Sequence, residues 1–295
     1  MWLLDTDSLE LKEFGDELPS YSILSHTWGH EEVTFKDLQH GWLTNPGSRK
    51  LRATCKQSSL DGYRWTWIDT CCIDRTSHDA LQEAIRSMYK WYAQAAACYV
   101  HLADVRSIGS IDTGNDSEFR RSRWFTRSWT LQELIAPRNV IFFTASWKKI
   151  GTKHTLQHLI ANITGIPPTC LSGESQPREF SVVTRFSWAS KRECRKREDV
   201  AYSLMGLFDV YMPILYGEYD KAFFRLQEHI FRQTADQSML AWSVSKDDYR
   251  YGNRSCIFAT SPVDFTGAPE RRLDAIGSPS LLIMVQTMSM PFRSY

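Results

Sequence analysis

Asp79–Leu102 reads DALQEAIRSMYKWYAQAAACYVHL, and this stretch decides the fold. Leu81, Ile85, Met88, Tyr92 and Ala95 recur at helical spacing, with Asp79 placed to cap the first turn. Cys98–Leu102 (CYVHL) then abandons the helical period for a run of β-favouring residues, as a strand does. Upstream, Trp65–Asp69 (WTWID) reads as another strand, Lys50–Leu60 as a helix stopped near Gly62, and Tyr21–Ser25 (YSILS) as a buried strand running into His26–Gly29. Downstream, Arg127–Ile135 reads as a short helix halted before Pro137, and Val140–Phe143 (VIFF) as the fourth strand. The order β-α-β-α-β-α-β predicts an α/β fold: a parallel sheet with right-handed crossovers and helices on both faces. Such open sheets bind ligands beyond the carboxyl ends of their strands, where Ser25, His26, Asp69, Asp104 and the loop before Trp124 would gather.

Past about residue 150 the strand signals fade. Leu156–Ile163, Ser187–Phe208 and Asp220–Thr234 read as helices between Gly and Pro turns. The expected organisation is an α/β domain over 1–150, a helical region over 151–240 and a loosely ordered tail over 241–295.

Composition sets the outer bounds. With 295 residues, 42% hydrophobic and 23% charged, the chain is an ordinary globular one, which excludes disordered, collagen-like and coiled-coil classes. Lys plus Arg number 35 against 34 Asp plus Glu, so net charge gives no reason to bind nucleic acid or an anionic membrane. Neither a signal peptide nor a membrane-spanning apolar run is found, and the seven cysteines lack regular spacing. Both point to a reducing, cytoplasmic setting, in which the sequons at Asn115, Asn162 and Asn253 would stay idle. Eleven tryptophans call for a core of large rings whose N–H groups need partners.

Several chemistries lack their residues: no G-x-G-x-x-G follows a strand, and P-loop, H-E-x-x-H and G-x-S-x-G motifs are missing. Cys71–Cys72 has no second pair to complete a zinc site, so no metal is expected and both read as buried packers. The densest constellation is Ser122–Pro137, SRWFTRSWTLQELIAP, where Trp129, Gln132 and Glu133 share one helical face while Leu131, Leu134 and Ile135 anchor the other. Spacing by itself favours a plain amphipathic helix with Glu133 solvated or paired to Arg123 or Arg127. In Ser25–Gly29, Gly29 suits a tight turn and His26 titrates near neutrality, yet a structural histidine fits as well. Asp69 reads best as a loop cap, and Lys191–Glu198 (KRECRKRE) as a solvated helical face.

Taken together, YSILSHTWGHEEVTF (Tyr21–Phe35), WTWIDTCCID (Trp65–Asp74), EAIRSMYKWY (Glu83–Tyr92), CYVHLADV (Cys98–Val105) and SRWFTRSWTLQELIAP closely resemble the fungal heterokaryon incompatibility (HET) domain. The likeness continues through WKKIGTK (Trp147–Lys153), ITGIP (Ile163–Pro167), REDVAYSLMGLFDVYMPILYGE (Arg197–Glu218) and KAFFRLQEHI (Lys221–Ile230). Tyr219 stands where the family commonly has Gly, and Lys196 interrupts a usual Thr-Thr-Arg stretch. The resemblance implies an effector of programmed cell death in vegetative incompatibility, with self-association or an upstream sensor on another chain as its partner.

SWTLQEL (Ser128–Leu134) also resembles, more distantly, the S-x-W-C-L-x-E-L helix of TIR domains, with Thr130 in place of the Cys. That likeness implies a TIR-like, flavodoxin-like layout in which Glu133 is the catalytic carboxylate and Trp129 a pocket wall. NAD would then be the substrate rather than a cofactor, with Ser25, His26 and Gly29 meeting its pyrophosphate. An interaction module of the same fold that recruits death-signalling partners is the alternative.

Overall fold

The computed structural model describes residues 1–41, 47–107, 117–242 and 257–267. Among these residues seven strands form one mixed sheet. In chain order they are β1 (Trp2–Asp5), β2 (Leu11–Glu13), β3 (Tyr21–His26), β4 (Trp65–Trp67), β5 (Ala97–His101), β6 (Val140–Phe143) and β7 (Lys149–Thr152), arranged β2-β1-β4-β3-β5-β6-β7. The four predicted strands are all present and parallel, Ile23 facing Trp67 on one side and Cys98 on the other, with Cys98 paired to Val140.

The expectation of a purely parallel sheet is corrected at its edges. The β1–β2 hairpin adds to β4, and β7 to β6, all antiparallel. These strands are three or four residues long, too short for alternation to stand out in the sequence. Strand β7 also crosses residue 150, where the sequence suggested a domain boundary.

Helices cover both faces. Along β3 successive side chains alternate: Ser22 meets Ser58 of α2 (Ser48–Leu60), whereas Tyr21 donates to the Trp91 carbonyl of α3 (His78–Gln94) at 2.6 Å. Two details of α3 differ from expectation. Its cap is Ser77, which accepts from the Ala80 N–H at 3.3 Å, while Asp79 lies inside the first turn. Its apolar face reaches Trp91 and Tyr92, both packed edge-on against Trp67 in the core.

The central strands run in the order second, first, third, fourth, so consecutive connections leave β3 in opposite directions. The carboxyl ends of β3 and β5 therefore flank the sheet's topological switch point.

The second half is helical, but in shorter pieces than predicted. Counting α1 (Phe35–Gln39) and α4 (Thr130–Ile135) in the first half, it contains α5 (Gln157–Thr164), α6 (Pro168–Ser172), α7 (Val182–Ser187), α8 (Asp199–Tyr202), α9 (Met205–Phe208) and α10 (Lys221–Gln233). The single helix expected over Ser187–Phe208 does not form. Glu193 instead bridges to the chain leading into α4, donating to Thr126 O at 2.6 Å and accepting from Ser128 N at 2.9 Å. Lys191–Glu198 is accordingly not helical; most of it is exposed as expected, but Arg192 and Glu198 are buried.

Helix α9 packs closely on α3 because Gly206 has no side chain: a Cβ there would lie 2.2 Å from Tyr89 Cβ. Residues 257–267, within the stretch expected to be loose, are anchored where Phe265 stacks on Phe186 and Gln227 of α10 hydrogen-bonds both backbone groups of Ala259. The rest of 243–295 lies outside the described residues, as do the sequons at Asn115 and Asn253. Among the described residues no helix is long and apolar enough to cross a membrane.

Candidate functional site

The switch point holds two polar clusters on opposite faces of the sheet. Ser25 and Glu133 form the first. The Ser25 side chain, on the α3 side of β3, donates to Glu133 Oε2 and accepts the indole N–H of Trp124 at 2.7 Å. The Trp124 ring is fixed by edge contacts with Phe125 and Phe142 at the head of α4. Lys153, itself buried, donates to the Leu134 and Pro137 carbonyls at 3.1 and 2.6 Å and so secures the other end of that helix.

Helix α4 is buried all round, which corrects the expectation of a projecting Trp–Glu face. Gln132 and Glu133 are 2% and 7% exposed, and neither Arg123 nor Arg127 pairs with the carboxyl. Burial pushes the Glu133 carboxyl up to about 8, with the neighbouring Asp69 charge adding to the rise while bonds to Ser25 and Tyr92 and the charge of Arg192 pull it back. The Tyr92 hydroxyl, close to this carboxyl, donates to Leu24 O at 2.9 Å.

The second cluster lies toward α2 and is wetter. His26 Nε2 contacts Asp69 Oδ1 at 2.9 Å, and Trp28 donates its indole N–H to Asp69 Oδ2 at 2.8 Å. Arg75 sits 4.1 Å over the Trp28 ring and 3.9 Å from the same carboxylate. Burial opposes the charge on Asp69, yet the bonds from His26 and Trp28 and the Arg75 charge hold its carboxyl below the usual range. Beside them His101 stacks on Trp147, and burial lowers its imidazole to about 4, leaving it neutral.

The predicted residues thus separate. Ser25 and Glu133 meet; His26, the next residue along β3, faces the other way, with Asp69 near enough to influence both clusters electrostatically. Gly29 makes no left-handed turn, and its N–H is taken by Glu32 Oε1 at 2.6 Å. Trp129, partly buried, bonds to Asp199 of α8, which also accepts from Tyr216 at 2.9 Å. Asp104 serves the turn before α4, accepting from Ser122 Oγ and Arg123 N at 2.7 Å each.

Sequence reasoning undervalued Asp69 as a cap and passed over Trp124, Tyr92, Arg75 and Arg192. The tryptophan count was the available signal for Trp124, since a buried indole needs an acceptor. Among the described residues no group of three or more His, Cys, Asp and Glu side chains is placed to hold a metal ion.

Residues 21–113, which carry β3, β4, α3, β5 and most of the switch point, match the heterokaryon incompatibility protein (HET) family, and residues 221–295 match a domain of unknown function, DUF8212. Over 221 residues the chain is 46% identical to the vegetative incompatibility protein HET-E-1 of Podospora anserina, an alignment covering 72% of this chain and 16% of that protein. The chain thus carries a stretch that matches the HET family and spans about a sixth of that relative's length. No solved structure matches the chain.

Proposed function

We propose that the chain is a cytoplasmic effector of programmed cell death in vegetative incompatibility, and that its first polar cluster hydrolyses the nicotinamide–ribose bond of NAD. The observation that carries the chemistry is the meeting of Glu133 with Ser25 at the carboxyl end of β3, beside the switch point where open sheets bind ligands. A carboxyl displaced in its titration, hydrogen-bonded to a hydroxyl and placed there is a functional-site candidate on physical grounds.

In the proposed step the C–N bond to nicotinamide breaks and the base leaves with the electron pair. Ionised Glu133 stabilises the positive charge that develops on the ribose, and water adds at the same carbon to give ADP-ribose and a proton. Trp129 would form a wall for the substrate, and Ser25 would orient the carboxylate. His26, held by Asp69, would serve the pyrophosphate from the opposite face, and Gly29 could join only once its N–H is released from Glu32. The TIR-like reading rests on the SWTLQEL pattern and on this strand order. Because Glu133 is buried and neutral at rest, the step requires an opening that hydrates and ionises it, which self-association or an upstream sensor would provide.

The deep burial of Glu133 favours a second reading, a non-enzymatic module in which the Trp124–Ser25–Glu133–Tyr92 chain only braces the sheet and killing comes from recruited partners. NAD loss from the full chain, clustered through a fused inducible dimeriser, separates the two. Loss with wild type and none with Glu133→Ala supports hydrolysis. Equal loss, or none from either, discards it, and killing retained by Glu133→Ala points to recruitment.

A further inference from the structure

The helix that carries Glu133 is tied down by one stretch of the second half. Between α7 and α8, Lys191–Arg197 crosses the start of α4 without forming a helix. Arg192 Nη1 donates to Arg127 O and Thr130 Oγ1, both at 2.9 Å. Glu193 donates its N–H to Thr126 O at 2.6 Å and accepts that of Ser128 at 2.9 Å. The ends of the stretch are fixed. Before it Trp188 packs on Phe180, and after it Glu198 accepts from the Gly217 and Tyr219 N–H groups at 2.7 and 3.1 Å.

These ties connect to the acid through contiguous bonds. Thr130 Oγ1, which accepts from Arg192, donates to Trp124 O at 2.5 Å; the Trp124 indole donates to Ser25 at 2.7 Å, and Ser25 to Glu133. Yet what holds the stretch is polar. Six of its seven residues are charged and the other is Cys194, so it places no aliphatic or aromatic side chain in the core. Segments with few apolar contacts open at a small fraction of the global unfolding free energy. Arg192 lowers that cost further. It is 8% exposed, has no carboxylate within ion-pair distance among the described residues, and leaves Nη2 without a partner among them. Burial accordingly lowers its guanidinium to about 9, and lifting the stretch returns the cation to water.

We infer that Lys191–Arg197 is a releasable strap: closed, it clamps residues 126–130 and keeps the Glu133 site shut; lifted, it frees the start of α4 and admits water to the acid. The strap names the regulation of the proposed NAD site and to that extent rests on the same reading, whereas its opening is a property of the fold and is measured without NAD.

The test follows two signals in the full chain. Native-state hydrogen exchange by NMR reads the Ser128 and Glu193 amides, which form the clamp, against the Cys98 amide of β5, bonded to Asn139 O. Labelling with a carbodiimide and an amine, read by mass spectrometry, reports how often Glu133 meets solvent. In wild type the two clamp amides should exchange through one common opening, at least about a hundredfold more often than Cys98. Arg192→Lys keeps the buried cation but cannot span both acceptors, so clamp exchange and Glu133 labelling should rise together by roughly tenfold with Cys98 unchanged. Clamp amides as slow as Cys98 in wild type, or faster clamp exchange in the variant with unaltered Glu133 labelling, overturn the strap. The outcomes also separate it from the chemistry. A strap that opens as expected in a clustered chain that releases no nicotinamide removes the hydrolase and leaves the strap; nicotinamide release with clamp amides as protected as Cys98 does the reverse.

Discussion

Replacing Glu133 by glutamine tests the resting state of the site through the pH dependence of folding. The carboxyl titrates at about 8 in the folded protein against an ordinary 4.5, because burial disfavours its charge. Between those values the folded chain holds a proton that the unfolded chain has released, so the unfolded state binds fewer protons and stability falls as pH rises through the window. The slope approaches about 1.4 kcal/mol per pH unit in mid-window and tapers at both ends, so from about pH 5 to about pH 8 the loss is roughly 3 kcal/mol. In Glu133→Gln the new side chain cannot ionise, yet it keeps the shape of the neutral acid and its carbonyl can accept from Ser25. His101, lowered to about 4 by burial, works in the opposite sense below about 6.5 and is common to both proteins, so it cancels in their difference. Urea unfolding of wild type and Glu133→Gln at four pH values should therefore give matching stabilities near pH 5. Near pH 8 the variant should be more stable by roughly 3 kcal/mol. A difference that does not change with pH, or a wild type that is the more stable at pH 8, would refute the neutral buried acid.

Other substitutions probe the parts that hold the site. Trp124→Phe keeps the ring but removes the N–H bonded to Ser25, at an expected cost of about 1 kcal/mol in urea unfolding. Gly206→Ala sets a Cβ against Tyr89 and should cost about 1–3 kcal/mol, read as a lower Tm. Ser77→Ala should cost about 1 kcal/mol by loss of the α3 cap, whereas Asp79→Ala should cost only roughly 0.3 kcal/mol through the helix dipole, as chemical denaturation of the pair can show.

Much of the architecture was legible because it rests on local pattern. Helix α3 declares itself by period and β3 to β6 by ring and β-branched runs, and their alternation fixes a parallel centre. The antiparallel edges were not legible: Trp2–Asp5 and Lys149–Thr152 become strands only because a neighbour offers them backbone partners. Ser187–Phe208 misled for the same reason, its helix-favouring composition overruled by the bridge from Glu193 to Arg127. At the site, the directions in which the side chains point were misread. Helical spacing placed Glu133 on a polar face but could not show that α4 is enclosed on every side, since that depends on Lys153, Trp124 and Arg192, distant in sequence. Period-two alternation along β3 does predict that Ser25 and His26 face opposite ways, a consequence that grouping them in one loop concealed.

Whether Glu133 performs chemistry is measured most directly by nicotinamide release from NAD by the clustered full chain. Wild type should release nicotinamide, while Glu133→Gln, folded by circular dichroism, releases none. Release by the variant at the wild-type rate, or none by the clustered wild type, would contradict it.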